Sequence, residues 1–565
     1  MTSVAVATNP ILPGCYPDPT ICRVGDDYYL VASTFEYFPG LPIFHSTNLV
    51  DWTLIDHVIT EADQLDYTGI RSSGGLYAPT IRHDGEKFWV VCTLVAHEGR
   101  HPGGNFLMTA PTINGPWSEP VWLDVGGIDP SIFFDDDGKI WLHGTRLVAE
   151  PEWPSQTETW LREYDPEARA LVGTEHVLWR GAVRGAVWSE APHIYKIDGS
   201  YYLLTAEGGT DFHHAVSVAR AETVTGPYVG APTNPIFTHR HLGRDYPIVG
   251  AGHADLVQAV DGSWWAMLLA MRTYGGYHYN LGRETFLVPV VWEDGWPVFA
   301  PGVGQLSDSV EVPASVGVGA GVGAAAEGDS AGRGGDAADR RGDAADRRGA
   351  STAPDRLDWT TVRGPLDFVT ELDEGWRLAM RPTTVRDRGR PTFMGVRQQH
   401  ENARAQAQID VALERGEEVG VIVRQSEEDH VRCAVVRDEE NGRLEFVIVH
   451  REKGTDRVLA RADLEEGAAR KDASTSAAPA DHAISAVQSA VDSFNFEISA
   501  RGQDYRVSVA ANGADGISAD FDGRSLDSVS TGGFLGLWFG VYATSNGRVT
   551  STQVDLTKFT YAELD

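Results

Sequence analysis

The amino-acid sequence predicts an all-β fold, in which a five-bladed β-propeller is followed by a C-terminal antiparallel β-sandwich. One observation is a pattern that occurs five times: a small residue or proline, an apolar residue two places on, a turn rich in Gly and Asp, and an aromatic run. Two strands joined by a tight turn have this pattern, and its regular repetition is typical of a propeller. The other observation is that apolar and polar residues alternate across turns in residues 356–565, as in a sandwich.

The five repeats fall within residues 1–310, which we assign to the propeller. They are Asp18–Val31, Ala78–Val91, Asp129–His143, Ala191–Leu204 and His253–Met267. Equivalent positions of every blade lie at the same place relative to the axis. The residues that precede the Pro or Ala of each repeat, among them Asp18, Asp129 and His253, should therefore converge at the mouth of the central channel. In the fourth repeat an acid, Glu190, lies one residue before the corresponding position.

Two further segments follow the propeller. Residues 311–355 consist largely of Gly, Ala, Asp and Arg, with GDAADRR twice in tandem. Such a segment cannot bury enough apolar surface to offset its chain entropy, so we expect a disordered linker. Residues 356–565 form the predicted sandwich, and residues 465–483 are a second low-complexity loop within it. The chain is therefore predicted to have two folded domains joined by a segment without a core.

Two Asp and one Glu that face one cavity have the chemistry that glycoside hydrolysis needs. One carboxyl group protonates the leaving oxygen, and another activates water or attacks the sugar. Asp-Pro and Asp-Gly pairs are also ordinary turn residues, so any one of these acids alone would be weak evidence. Three acids at or next to one symmetric register favour a shared chemical role for Asp18, Asp129 and Glu190.

At these residues the sequence resembles glycoside hydrolase family 43, and specifically its β-xylosidase branch. The resemblance covers roughly residues 9–305 in the family's order. The matching stretches are NPILPGCYPDPT, YYLVASTFEYFPGLPIFHSTNLVDW, SGGLYAPTI, GGIDPSIFFDDDGK, SEAPHIYKIDGSYYLLTAEGGT, GHADLVQ and LGRET. The resemblance implies that Asp18 is the general base and Glu190 the general acid. It also implies that Asp129 orients Glu190 and raises its pKa.

The resemblance assigns further residues to the sugar pocket. His253 and Arg283 correspond to pocket-lining residues, and Phe35 would form an apolar wall against the sugar. Tyr77 stands where the family usually has Trp, and the CYPDP stretch around the first acid also departs from the common pattern. Because Tyr77 still offers a stacking face, we expect a changed pocket shape and retained activity.

In the family, the C-terminal sandwich packs on the propeller and supplies an aromatic side chain that closes the pocket. Residues 356–565 resemble that domain more weakly than the first half resembles the propeller. Phe534, Trp538 and Phe539 are the candidates for the closing aromatic, although packing in the core is the favoured role for each of them.

The resemblance implies an inverting exo-glycosidase that releases xylose from the non-reducing end of β-1,4-xylo-oligosaccharides, with α-L-arabinofuranosidase as a further activity. The two sugars present similar hydroxyl geometry, so a mainly α-L-arabinofuranosidase enzyme is the alternative. A retaining hydrolase of the fructan-cleaving kind is disfavoured, because the sequence has no NDPNG-like opening and no Glu-Cys acid motif. A non-catalytic sugar-binding propeller would require all three acids to be incidental.

The composition excludes several partners. A net charge of −33, from 47 basic and 80 acidic residues, argues against nucleic acid and anionic membrane surfaces as partners. The four cysteines form no CxxC pair and have no metal-ligand spacing, so we expect no zinc site and no required cofactor. The sequence leaves open whether calcium occupies the propeller channel and whether the chain forms a homo-oligomer.

The N-terminal segment MTSVAVATNPILPG has no basic region followed by an apolar run, as a signal peptide would have. The chain also lacks a stretch of about 18 apolar residues, the length that a transmembrane helix needs. We therefore expect a cytoplasmic enzyme that meets imported oligosaccharides instead of intact polymer.

Overall fold

The structure is a computed structural model, and it describes residues 4–96, 103–317, 354–464, 492–511 and 515–565. Strands dominate these residues, as predicted for an all-β chain. Almost all of the predicted linker at 311–355 and the whole loop at 465–483 lie outside the described residues. No helix among the described residues is long and apolar enough to cross a membrane.

The first 300 residues form five antiparallel sheets of four or five strands, one for each repeat of the sequence. The first three sheets are built in chain order from neighbouring strands. The first contains Thr20–Val24, Asp27–Val31, Gly40–Ser46 and Thr53–Ile59. The second contains Gly75–Leu76, Thr80–His83, Phe88–Val95, Gly104–Ala110 and Val121–Trp122. The third contains Ile128–Phe134, Ile140–Leu147, Thr157–Asp165 and Ala170–Trp179.

The last two sheets of the propeller follow the same plan. The fourth contains Glu190–Ile197, Ser200–Glu207, Ala215–Ala221, Val229–Gly230 and Phe237–Thr238. The fifth contains Ile248–Gln258, Trp264–Arg272, Glu284–Glu293 and Trp296–Phe299. The long inner strands of all five sheets contact one another in a closed ring, with the inner strand of the fifth sheet against that of the first. This ring surrounds the axis toward which the sequence-predicted acids point.

The ring is closed by the beginning and the end of the propeller. Val4–Thr8 pairs with Ser309–Pro313 in an antiparallel ribbon. The buried Asn9 amide donates to the Leu287 carbonyl and accepts from the Leu287 backbone N–H, at 2.9 Å in each case. Asn9 therefore adds its side chain to the fifth sheet, which fixes the N-terminal segment next to the last blade.

The C-terminal domain is a sandwich of a seven-stranded and a six-stranded antiparallel sheet. The larger sheet has the order Val369–Glu371, Trp376–Ala379, Gln553–Glu563, Asn402–Val411, Asp492–Arg501, Asp504–Ala511 and Ile517–Asp522. The smaller has the order Thr392–Arg397, Trp538–Thr544, Glu418–Arg424, His430–Arg437, Leu444–Glu452 and Thr455–Asp463. Alternate side chains of both sheets point inward and form one apolar core.

Helical segments are short and lie in connections. Within the described ranges, four are 3-10 turns, Arg240–Leu242, Ala314–Val316, Arg356–Asp358 and Gly523–Ser525, and one α-helical turn is Ser528–Thr531. The last of these is capped by Asp527, whose carboxylate accepts from the Ser530 N–H at 2.9 Å. Asp527 also contacts His278 of the propeller at 2.9 Å, so this turn belongs to the contact between the domains.

The two domains share a buried interface. The strand Tyr37–Phe38 of the propeller pairs with Thr361–Val362 of the C-terminal domain. The rings of Tyr37 and Trp538 stack with centroids 3.8 Å apart. Arg424 of the sandwich donates to the Tyr37 hydroxyl at 2.7 Å and lies 3.6 Å from the Glu36 carboxylate, and both charged side chains are buried.

Replacing Arg424 by Met should lower the free energy of unfolding by about 3–5 kcal/mol, because the buried Glu36 would lose its nearest cation and the Tyr37 hydroxyl its donor. Chemical denaturation followed by Trp fluorescence measures this loss. Arg377→Met is the matched control, since Arg377 pairs with Asp555 at the surface, and its midpoint should stay near that of the unmodified protein. Equal midpoints for the two variants would show that the buried ion pair does not support the interface.

Candidate active site

The seven residues that the sequence assigns to a site line one small cavity at the mouth of the propeller channel. The cavity has a volume of about 60 Å³. Its walls include all of the predicted residues, namely Asp18, Phe35, Tyr77, Asp129, Glu190, His253 and Arg283. Phe534 of the C-terminal domain completes the wall. Among the seven predicted residues, the structure brings together side chains that are up to 265 residues apart in the chain, namely Asp18 and Arg283.

The backbone of the inner strands turns sharply where these residues lie. Asp18, Asp129, Ala191 and His253 occupy the same position in their repeats, and all four have left-handed φ angles of 49–55°. The inner strands of the third, fourth and fifth sheets also carry a bulge at this place. Bulges and left-handed residues re-aim side chains and concentrate at functional sites. Glu190 reaches the cavity from the residue before Ala191, as the displaced register of the sequence indicates.

Asp18 is held by three polar neighbours. The Ser33 hydroxyl donates to it at 2.6 Å, Arg283 donates to it at 3.1 Å, and Nδ1 of His253 lies 3.6 Å away. Burial alone would raise the pKa of Asp18, but Arg283, His253 and Ser33 favour the charged form more strongly and bring the pKa below its ordinary value. Asp18 is therefore a carboxylate at neutral pH.

Glu190 and Asp129 form a pair with the opposite preference. Burial, together with the nearby charges of Asp129 and Asp18, raises the pKa of Glu190 well above its ordinary value. Burial and the charge of Asp18 also raise the pKa of Asp129. The Asp129 carboxylate accepts from the Ala191 N–H at 3.1 Å, which ties it to the strand that carries Glu190. The pair therefore retains a proton beside an ionised Asp18.

Arg283 is the cation of the cavity. Its Nη1 donates both to Asp18 and to the Thr210 hydroxyl, the latter at 2.9 Å. Its guanidinium lies 5.5 Å from the ring centroid of Phe35 and 5.1 Å from that of Phe534. These rings hold the guanidinium in place by cation–π contact. Its Nε is buried and has no hydrogen-bond partner among the described residues.

Three aromatic rings form the apolar wall. Phe35 meets Tyr77 edge to face at a centroid distance of 5.6 Å, and Tyr77 meets Phe534 in the same way at 5.8 Å. Of the three aromatic candidates in the C-terminal domain, Phe534 is thus the one at the cavity. Trp538 instead stacks on Tyr37 at the interface, and Phe539 belongs to the sandwich core.

Ser73 fixes two of these rings, and the sequence analysis did not identify it. Its carbonyl accepts from the Tyr77 hydroxyl at 2.7 Å, and its hydroxyl accepts from the Phe534 N–H at 2.9 Å. Its own N–H donates to the Glu36 carboxylate at 3.0 Å. Ser73 has a φ of 61°, a left-handed conformation that suits such a junction. It lies in the SGGLYAPTI stretch, but nothing in that stretch indicates contacts with residues so distant in the chain.

Ser33 and Thr210 are the other polar contacts that the sequence analysis missed. Each lies inside a stretch that resembles the family, VASTFEYF for Ser33 and AEGGT for Thr210. Hydroxyl residues are so common in such loops that position in a motif alone did not single them out.

Asp255 lies two residues after His253 on the same inner strand, and protein groups engage both of its oxygens. Asp255 accepts from Arg82 at 2.8 and 2.9 Å, from the Tyr195 hydroxyl at 2.5 Å and from the Thr20 hydroxyl at 2.8 Å. In the described part of the chain, no group of three or more His, Cys, Asp or Glu side chains is arranged to hold a metal ion.

Comparison with known proteins identifies both halves of the chain. The model of "Glycosyl hydrolases family 43" matches residues 7–297, and that of "Beta xylosidase C-terminal Concanavalin A-like domain" matches residues 353–562. A protein from Butyrivibrio fibrisolvens named xylosidase/arabinosidase is 37% identical over 99% of this chain and 100% of its own length. A non-reducing end α-L-arabinofuranosidase from Bacteroides ovatus is 34% identical over 99% of this chain and 95% of its own.

A solved structure agrees with these matches. The xylan β-1,4-xylosidase from Bacillus halodurans superposes with a TM-score of 0.81 at 27% identity, covering 99% of this chain and 100% of that one. The predicted all-β fold of propeller and sandwich is confirmed, as is the resemblance that the sequence motifs carry. The chain belongs to glycoside hydrolase family 43 and is a glycoside hydrolase.

Proposed function

We propose that this glycoside hydrolase releases single xylose units from the non-reducing end of β-1,4-xylo-oligosaccharides with inversion at the anomeric carbon. The observation that carries the proposal is that two carboxyl groups in one cavity have surroundings that shift their pKa values in opposite directions. Asp18 is ionised beside Arg283, whereas the environment of Glu190 keeps a proton on the pair that it forms with Asp129. Inverting hydrolysis needs one base and one acid in this arrangement.

The shape of the cavity supports exo action. The cavity is small, at about 60 Å³, and Phe35, Tyr77 and Phe534 wall it on the apolar side. Such a closed recess suits one terminal sugar ring and not the middle of a polymer. Beyond Glu190 it opens into a pocket of about 990 Å³, which leaves room for the rest of an oligosaccharide.

Each catalytic role follows from the surroundings of the residue. Asp18 would take a proton from water as the water attacks the anomeric carbon. Glu190 would give its proton to the glycosidic oxygen on the other side of the sugar as the bond breaks. Asp129 would hold Glu190 in place and keep its pKa high. Arg283 and His253 would bind sugar hydroxyls, and the aromatic wall would cover the apolar face of the ring.

A mainly α-L-arabinofuranosidase activity is the second candidate. It is favoured by the full-length similarity to the Bacteroides ovatus enzyme, whose name states that activity. The Butyrivibrio fibrisolvens relative carries both activities in its name, in agreement with one pocket that accepts two sugars of similar hydroxyl geometry.

A panel of nitrophenyl glycosides tests the proposal directly. We expect the highest kcat/KM on the β-D-xyloside, a lower value on the α-L-arabinofuranoside, and none on a β-fructofuranoside. Proton NMR of the first turnover on xylobiose should show α-xylose, because an inverting enzyme converts a β linkage into the α anomer. Initial release of β-xylose would contradict inversion, and a higher kcat/KM on the arabinofuranoside would favour the second candidate.

Replacing Asp129 by Asn should move the alkaline limb of the kcat profile to lower pH. Activity falls as pH rises through the pKa of Glu190, because the acid must carry a proton. Removing the negative charge of Asp129 makes ionisation of Glu190 easier and lowers its pKa, so the fall begins at lower pH. A full pH–rate profile measures the shift, and an alkaline limb that stays in place would remove Asp129 from this role.

Replacing Glu190 by Ala should slow xylobiose hydrolysis by about 10²–10⁴-fold, because the sugar oxygen leaves poorly without a proton. Dinitrophenolate departs without a proton, so the loss on the dinitrophenyl xyloside should be far smaller. Steady-state rates on the two substrates give the comparison.

Asp18→Asn is the matched control for that experiment. Water must be activated whatever the leaving group is, so this variant should lose about 10²–10⁴-fold on xylobiose and a similar factor on the dinitrophenyl xyloside. If Glu190→Ala also lost the same factor on both substrates, Glu190 would not be the acid.

A further inference from the structure

The larger pocket outside the catalytic cavity lies on the leaving-group side of the proposed reaction. It shares Tyr77, Glu190 and Phe534 with the catalytic cavity. Glu190 is the proposed acid, so the sugar or other group that it protonates must extend into this pocket. The pocket therefore determines which aglycones the enzyme accepts.

Arginines dominate the charge of this pocket. Arg71, Arg146 and Arg244 all line it, in a chain whose net charge is −33. Arg146 is occupied, because it forms ion pairs with Glu158 at 3.1 Å and Glu175 at 2.7 Å. In contrast, neither Arg71 nor Arg244 forms an ion pair with any carboxylate of the described residues, and both are exposed. Two guanidinium groups thus face the pocket without a carboxylate partner among the described residues.

Arg244 is held in position by aromatic rings. Its guanidinium carbon lies 4.6 Å from the ring centroid of Phe212 and 4.5 Å from that of Tyr277. Tyr277 is itself fixed, because its hydroxyl donates to Asp211 at 2.5 Å. A stacked guanidinium loses little freedom when it binds a carboxylate, since its N–H groups already lie in a fixed plane.

The acids of the pocket wall cancel only part of this charge. Among the described residues they are Glu190 and Asp211. The environment of Glu190 favours its protonated form, in which it carries no charge. Asp211 accepts hydrogen bonds from the Tyr277 hydroxyl and from the Phe212 N–H, both on Oδ1, and its negative charge offsets one guanidinium. Since neither Arg71 nor Arg244 forms an ion pair within the described part of the chain, the pocket keeps an excess of positive charge.

We propose that this pocket binds an acidic aglycone, namely a xylo-oligosaccharide whose leaving-group portion carries a uronic acid, with Arg244 and Arg71 contacting the carboxylate. The proposal rests on the proposed function, because it takes Glu190 to protonate the bond between the two parts of the substrate. Bidentate contact with a planar carboxylate is the recognition to which a guanidinium is best suited. A neutral wall of aromatic and hydroxyl groups would suffice for an unsubstituted sugar.

Two nitrophenyl β-xylosides test the proposal, one with a carboxylate on the aromatic ring and one with a carboxamide at the same position. The ratio of their kcat/KM values measures the preference and is compared among enzyme variants, so the intrinsic reactivity of the two phenols cancels. Arg244→Gln and Arg71→Gln should each lower the ratio by about threefold to tenfold, the range expected for a charge-assisted contact near the surface. In the unmodified enzyme, the ratio should also fall as salt is raised, because salt screens exposed charges.

Arg457→Gln is the control, because Arg457 is an exposed arginine of the sandwich outside this pocket, and its removal changes the net charge equally. Its ratio should equal that of the unmodified enzyme. If all four proteins hydrolysed both xylosides with the same ratio of kcat/KM values, the acidic-aglycone proposal would be overturned. The glycosidase proposal would stand. Hydrolysis of neither xyloside by the unmodified enzyme would overturn both.

Discussion

Three carboxyl groups are buried in one small cavity together with one guanidinium, and this imbalance determines the chemistry of the site. Buried charges of like sign cannot all be ionised at close range. Arg283 contacts Asp18 directly, so the cation stabilises the ionised form of Asp18. Burial raises the pKa of both Asp129 and Glu190, so this pair retains a proton. An acid and a base thus arise from three similar groups because only one of them lies beside the cation.

The second domain contributes to this arrangement as well as to stability. Phe534 closes the wall of the cavity and stacks against the guanidinium of Arg283. Ser73 holds the backbone of Phe534 and the hydroxyl of Tyr77, and it is held in turn by Glu36. Because Glu36 pairs with Arg424 of the sandwich, the position of the sugar-binding wall depends on the contact between the domains.

Much of the site could be predicted from the sequence because its residues lie next to local signals. Asp18, Asp129 and His253 precede the Pro or Ala of repeated turns, and the repeat places such positions around one axis. Phe534 could only be named beside two other aromatic residues, since a choice among them requires knowledge of which ring faces the other domain. Ser73 was missed for the same reason: its contact with Phe534 joins positions 461 residues apart, and no local pattern in the sequence indicates it.

The wall formed by Phe534 has an evolutionary consequence. The groups that cleave the bond lie on the propeller, whereas one side of the sugar recess is supplied by a separate domain with its own core. Mutations in the loop that carries Phe534 can therefore reshape the sugar recess while Asp18, Asp129 and Glu190 themselves stay unchanged. Divided in this way, the protein can vary one wall of its recess in one domain and keep its catalytic acids in the other.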